Sequence, residues 1–379
     1  LAARLPERLR NWLVARKLAG SEWLRRNGSD MAFLKRITGA AGIGVAFGYL
    51  SGLVADRLGR RRREALRGRL AKTPLQMTWL GWKDVLLRFG GNVAENRLSS
   101  LAGAVAFFTL LSLVPALSLL VTIYRYFTDP ATIAGQLDTV TTMLPQAARE
   151  LIHEQALRLS AQPDITLSLT FYVSLAVAAW SANAAVKALF DALNIIYREA
   201  EKRSFLKLNA ISFVTTLSGV VLLVLALTAI ASLPVVTALF PFHVELERLI
   251  RLIRWPAFFV VATLSIAALY WIGPSRERMR FIWVMPGAVA AALLWGAASY
   301  LFSWYVSTLG NYTAAYGSLA TVVVFMTWLW LSATIVLAGA ELNAELEHQT
   351  AHDTTTGRPK PLGSRGAAMA DRVGPARAE

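Results

Sequence analysis

The chain has 379 residues, 55% of them hydrophobic and 17% charged, with a formal net charge of +15 and no cysteine. So low a charged fraction argues against an ordinary soluble domain, where about 25% is usual, and the missing cysteines exclude disulfides, thiolate metal sites and cysteine nucleophiles. The basic surplus clusters beside apolar runs, which points to anionic lipid at a membrane surface rather than to nucleic acid.

Residues 1–36 form a basic arm with nine Lys/Arg, expected on the cytoplasmic side. They show no apolar core of a cleavable signal peptide. Translation is read as starting either at Leu1 or at Met31. Residues 37–55 are uncharged, and Gly44, Gly48 and Gly52 line one helix face, allowing close helix approach and a homo-oligomer contact. Whether this segment spans the membrane or forms a hairpin or peripheral element stays open. It makes residues 37–74, with the run Arg60 to Arg63, a glycine-rich membrane segment plus basic linker.

Residues 78–90 carry Trp79, Trp82, Leu86 and Phe89 on one side and Lys83, Asp84 and Arg88 elsewhere, the pattern of an interfacial helix. Span 1 is then expected over 98–127, kinked at Pro115. Two short amphipathic helices follow over 128–164. Span 2 covers about 165–197, with Asn183, Lys187, Asp191 and Asn194 on one face. Span 3 covers 205–233 and a linker 234–254. Span 4 covers 256–272, span 5 covers 281–307, and span 6 is the uncharged run from Gly317 to Ala340, which stops at Glu341, Asn343, Glu345 and Glu347. From about Thr350 the composition predicts a disordered tail, 350–379. The fold class is therefore all-α: a polytopic transmembrane bundle of six core spans over 75–349, with amphipathic surface helices and the extra N-terminal segment.

Loop charge sets the orientation. With the start of span 1 on the cytoplasmic side, segments 56–97, 191–207, 274–280 and 341–379 hold 23 Lys/Arg, against 6 in 125–164, 234–254 and 308–315. The core is predicted N-in and C-in.

Several stretches resemble the YihY/BrkB family of bacterial inner-membrane proteins. They are Leu101, Ala102, Ala106, Phe107, Leu111 and Pro115; Trp180-Ser181, Ala192-Leu193-Asn194 and Tyr197; Pro286-Gly287-Ala288 and Trp295; and Tyr312, Tyr316-Gly317, Trp328 and Gly339 to Asn343. The resemblance covers about 80–350 and implies a multi-pass protein of the bacterial inner membrane. Members have carried a virulence-factor name and a ribonuclease name. Phosphodiester cleavage asks for a carboxylate–metal cluster or paired acid and base groups. The four histidines form no metal-ligand motif and no such cluster is visible, so no catalytic residue, metal or cofactor is predicted. No nucleotide-binding GxxxxGK[ST] motif is present either.

The candidate site is polar instead. Arg97, Lys187, Asp191, Asn194, Glu341 and Asn343 fall at the cytoplasmic ends of spans 1, 2 and 6, where charge near a bilayer pairs, snorkels or lines water. They are expected to form a substrate-binding vestibule, with Glu341 holding Lys187 or Arg97 and Pro115 gating. The competing expectation is a local Lys187–Asp191 pair, with Glu341 merely marking the interface. The predicted function is movement or handling of a lipid or small amphipathic solute. The alternative is a membrane scaffold without transport.

Overall fold

The computed structural model describes residues 64–125, 169–239, 244–308 and 319–376. The chain divides into two compact units, Leu1–Glu64 and Ala65–Glu379, and the described residues other than Glu64 lie in the second. The basic arm, the glycines at 44, 48 and 52, the four-arginine run and the amphipathic pair over 128–164 lie outside the described residues.

Among the described residues the second unit has seven α-helices: α1 (Trp79–Glu95), α2 (Leu98–Arg125), α3 (Leu169–Ile196), α4 (Phe205–Leu239), α5 (Val244–Ile272), α6 (Phe281–Thr308) and α7 (Ala320–Gln349). The described residues hold no strand longer than a single antiparallel bridge, Met279 to Thr355. Among the described residues, three stretches are long and apolar enough to cross a membrane: Phe205–Leu222, Phe281–Thr308 and Ala320–Gln349. Shorter apolar stretches fill Leu98–Ser112 and Pro256–Ile272. The stretch 234–254, expected as a linker, is largely helical. α4 continues through Pro234 to Leu239, and α5 already begins at Val244. α2 likewise runs through Pro115, whose side chain is outside the described set.

α7 is the central helix. It packs on α6, α2, α1 and α3, while α2 packs along α3, and α5 along α6. α4 leans on α3 and lightly on α2. Apolar burial drives little association between helices already in lipid, so close approach and polar ties must do it. The α6–α7 crossing shows both. A Cβ on Gly287 would stand 2.0 Å from the Gly339 carbonyl oxygen, and one on Gly339 would stand 2.6 Å from that of Gly287. Pro286 sits inside α6. Beside it, Asn343 accepts the Gly287 N–H at 2.7 Å and donates to the Val284 carbonyl at 2.8 Å. Higher up, the Trp295 and Trp328 indoles donate to Ser332 and Ser299 across the same interface.

α1 is amphipathic in the reverse of the soluble sense. Its buried stripe is Gly81, Asp84, Val85, Arg88 and Asn92, while Trp79, Leu80, Leu86 and Leu87 are exposed. The polar stripe meets the acidic end of α7 in an antiparallel register. Asn96 donates to Glu341 at 2.9 Å and Asn92 to Glu345 at 2.7 Å. Arg88 binds Glu345 at 2.5 Å and Gln349 at 2.7 Å. Each step back along α1 by four residues is a step forward along α7 by four, so both partners stay on one face. Glu341, Glu345 and Glu347 are wholly buried. Glu347 lies on the other side of α7 and takes both Arg276 guanidinium nitrogens at 2.5 and 2.6 Å.

The tail is ordered over 350–376, contrary to the expectation from its composition. Arg365 is the reason. Its guanidinium donates to the carbonyls of Ala351, His352, Lys360 and Ala370, tying the segment into a compact knot. Ala367, Met369 and Ala370 are buried. Farther along, the Gly374 carbonyl accepts from Arg69 and that of Pro375 from Arg88. The tail lacks a hydrophobic core of its own and folds on a surface the helices provide.

Candidate functional site

Three segments meet over one end of the bundle: the α3–α4 loop, the α5–α6 loop and the tail. Arg198, with φ of +55°, turns the chain out of α3. In the loop that follows, the Lys202 ammonium reaches Glu199 at 2.7 Å and the Arg203 guanidinium reaches Glu201 at 2.8 Å. Arg203 also donates to the Gly273 carbonyl at 2.7 Å, stitching this loop to the next. Asn194 completes the stitch. It accepts the Ser275 N–H at 2.7 Å and donates to Glu201 at 3.0 Å. Burial works against the Glu201 charge, but the hydrogen bonds from Arg203, Asn194 and Ser275 prevail and hold its carboxyl at about 2. The tail joins through the Ala368 N–H to Glu199, and through the bridge that lets Arg280 and Arg278 exchange backbone bonds with Thr354 and Thr356.

A cavity of about 710 Å³ opens within this layer. Lys207 and Ile211 of α4 line one side, and Trp271 and Ile272 of α5 the other, with Arg276 and Arg278 between them. Most of the charge around it is already matched. Lys202, Arg203 and Arg276 hold Glu199, Glu201 and Glu347, and Glu277 stands 3.8 Å from Lys360. Burial opposes the Arg276 charge, yet the Glu347 carboxylate outweighs it and raises the guanidinium above its ordinary value. Lys207 and Arg278 have no ion pair with a described residue. The Arg278 guanidinium instead lies over the Trp271 ring at 4.3 Å. Ser204 precedes the first turn of α4, which carries no acidic residue and opens beside the cavity.

The residues expected to form one vestibule are distributed differently. Asn194 and Asn343 are buried ties between elements. Glu341 gives one oxygen to Asn96, not to Lys187 or Arg97, and its other oxygen has no hydrogen bond. Arg97 is exposed at the α1–α2 turn, with φ of +50°. Lys187 sits 5.0 Å over the Trp180 ring, and Asp191 is exposed one turn on. Of the six, only Asn194 touches the cavity wall, through Ser275. The cavity was missed because its lining comes from four short stretches with no periodicity. The available signal was the cluster Lys202, Arg203, Lys207, Arg276 and Arg278, already counted as loop charge.

The family model described as Virulence factor BrkB matches residues 89–362. A ribonuclease-like protein of Bacillus subtilis, YfkH, is 32% identical over 70% of this chain and 94% of its own length. UPF0761 membrane proteins of Nitrosospira multiformis and Chlorobium limicola are 28% and 29% identical over 69% and 74% of this chain, which spans 59% and 64% of their lengths. No solved structure matches.

Proposed function

This chain belongs to the Virulence factor BrkB family of membrane proteins, and we propose that it handles, and moves across the bilayer, a lipid or small amphipathic solute with an anionic head. The observation that carries this reading is the basic cavity between α4 and α5. The two helices are held by different neighbours, α4 by α3 and α5 by α6. Above the cavity they present exposed apolar side chains, Val214 and Leu217 on α4 and Val260 and Leu264 on α5. A charged recess beside exposed apolar helix surface suits an amphiphile, with the head among Lys207 and Arg278 and the chain against the helices. Six long helices act as six spans in the inner membrane, with the cavity end cytoplasmic, where the positive-inside rule sets a basic layer. Lys187 and Asp191 on α3 are secondary contacts along the route, and Pro115 is the hinge of α2. The reading is non-enzymatic: the cavity lining includes one carboxylate, Glu277, and it stands near Lys360.

The test is translocation in proteoliposomes carrying a fluorescent phospholipid, followed through its access to an impermeant quencher. The reading expects exchange well above protein-free vesicles, slowed in Lys187→Met. Exchange at the protein-free rate, from protein that retains its cooperative thermal unfolding, overturns it.

A further inference from the structure

We propose that Lys207 and Arg278 form a phosphate-binding pair in the cavity, specific for the phosphate ester of a ligand head. The inference rests on the reading of the cavity as an anionic-head site and names the chemistry of that head. Among the cations lining the cavity, Lys202, Arg203 and Arg276 are committed to Glu199, Glu201 and Glu347. The surplus is confined to Lys207 and Arg278, both exposed to the recess, one on each wall.

Their chemistry differs in a useful way. Arg278 lies with its guanidinium carbon 4.3 Å from the Trp271 ring centroid, a cation–π contact that leaves its N–H groups able to make a two-point contact with phosphate oxygens. Lys207 supplies a compact charge from a flexible stem on the first turn of α4. The same turn adds helix N–H groups and the Ser204 hydroxyl, a donor set suited to a tetrahedral oxyanion. A carboxylate head, with two oxygens in one plane, offers this donor set fewer acceptor positions than the tetrahedral oxygens of a phosphate ester. Walls cross-tied by Arg203 to Gly273 and Asn194 to Ser275 keep the two cations in register before any ligand arrives.

The ester can belong to a lipid or to a soluble molecule, and the experiment separates them. Full-length protein in detergent is titrated with phosphatidylglycerol, with oleate and with glycerol 3-phosphate, and retained ligand is read by native mass spectrometry. Phosphatidylglycerol is expected to bind more tightly than oleate. Lys207→Gln/Arg278→Gln should weaken it at least about tenfold, the scale of one charged contact. Arg278→Lys should recover only part of the loss, and Lys83→Gln, at an exposed position of α1, should cause none. Displacement of phosphatidylglycerol by glycerol 3-phosphate assigns the site to a soluble ester, and lack of displacement assigns it to a lipid head. Equal retention by the double variant, equal loss in Lys83→Gln, or oleate binding as tight as phosphatidylglycerol overturns the proposal. The translocation assay keeps the two readings apart. Binding without translocation removes transport and leaves this site, whereas translocation with unaltered binding in the double variant removes the site and leaves transport.

Discussion

The two polar regions of this molecule are built on opposite principles. Where α1 meets α7, Asn92 and Arg88 bind Glu345 and Arg88 binds Gln349, while Asn96 satisfies one oxygen of Glu341 and leaves the other without a hydrogen bond. In the loop layer, charge is left over, with Lys207 and Arg278 facing open space on the two walls of a cavity. The first arrangement locks a helix register. The second does little for the fold and, on the proposed reading, receives a negative ligand. Glu345 and Glu347 on the central helix, each held by an arginine, therefore do not mark a binding site merely because they are charged and near a membrane. A buried charge with its partners in place is architecture, and surplus charge beside a void is the better pointer to ligand.

The comparison breaks hardest at the zipper. Arg88→Met leaves Glu345 buried without its guanidinium and should destabilise the detergent-solubilised chain by about 3–5 kcal/mol in thermal or denaturant unfolding. A loss under about 1 kcal/mol would show that α1 is not held by this pair. Next is the helix crossing. Gly287→Ala sets a methyl against the Gly339 carbonyl and should cost about 1–3 kcal/mol as α6 and α7 separate. The stability loss should be matched by Gly339→Ala, since each glycine lies against the other's backbone.

A smaller effect sharpens the contrast within the loop layer. Glu201 is held at about 2 when folded, below its ordinary value of 4.5. The folded state thus favours its charged form, and this contribution is fully present above about pH 4.5 and is lost as the pH falls toward 2. Glu201→Gln should flatten the unfolding profile across that window and leave it unchanged near neutrality apart from a constant offset; an unaltered acid slope contradicts the assignment. Smallest of all is the expected stability change in Lys207→Gln and Arg278→Gln, within about 0.5 kcal/mol, because neither cation is spent on the fold. A loss of several kcal/mol in either variant would move that residue from the ligand side of the comparison to the structural side.

The helical class and the membrane character were legible, since long uncharged runs have few other uses. The family motifs were legible too, and the structure gives two of them a physical role: Gly287 and Gly339 let α6 and α7 touch, and Asn343 ties them. The four-residue spacing of Glu341, Glu345 and Gln349 matches that of Arg88, Asn92 and Asn96, so the zipper was written in the chain. The tryptophans and leucines of α1 mask it, because a helix is ordinarily expected to bury that side. Here the exposed surface can face lipid, so the polar stripe turns inward. The tail was hidden for another reason. Composition reports whether a segment can form its own core, and residues 350–376 borrow one, pinned by Arg365. The cavity needed tertiary structure outright, because Lys207 and Arg278 are 71 positions apart and no periodic pattern links them.

The central claim is that the amphiphile's head enters the α4–α5 cavity, and the most direct measurement is covalent capture. Phosphatidylglycerol with a photoreactive group on its head would be reconstituted with the full-length protein, irradiated, and the adducts mapped by peptide mass spectrometry. The account predicts adducts on the peptides carrying Lys207 to Ile211 and Trp271 to Arg278, reduced by Lys207→Gln/Arg278→Gln. Adducts confined to the exposed Trp79 and Leu86 side of α1, unaffected by that double variant, would contradict it.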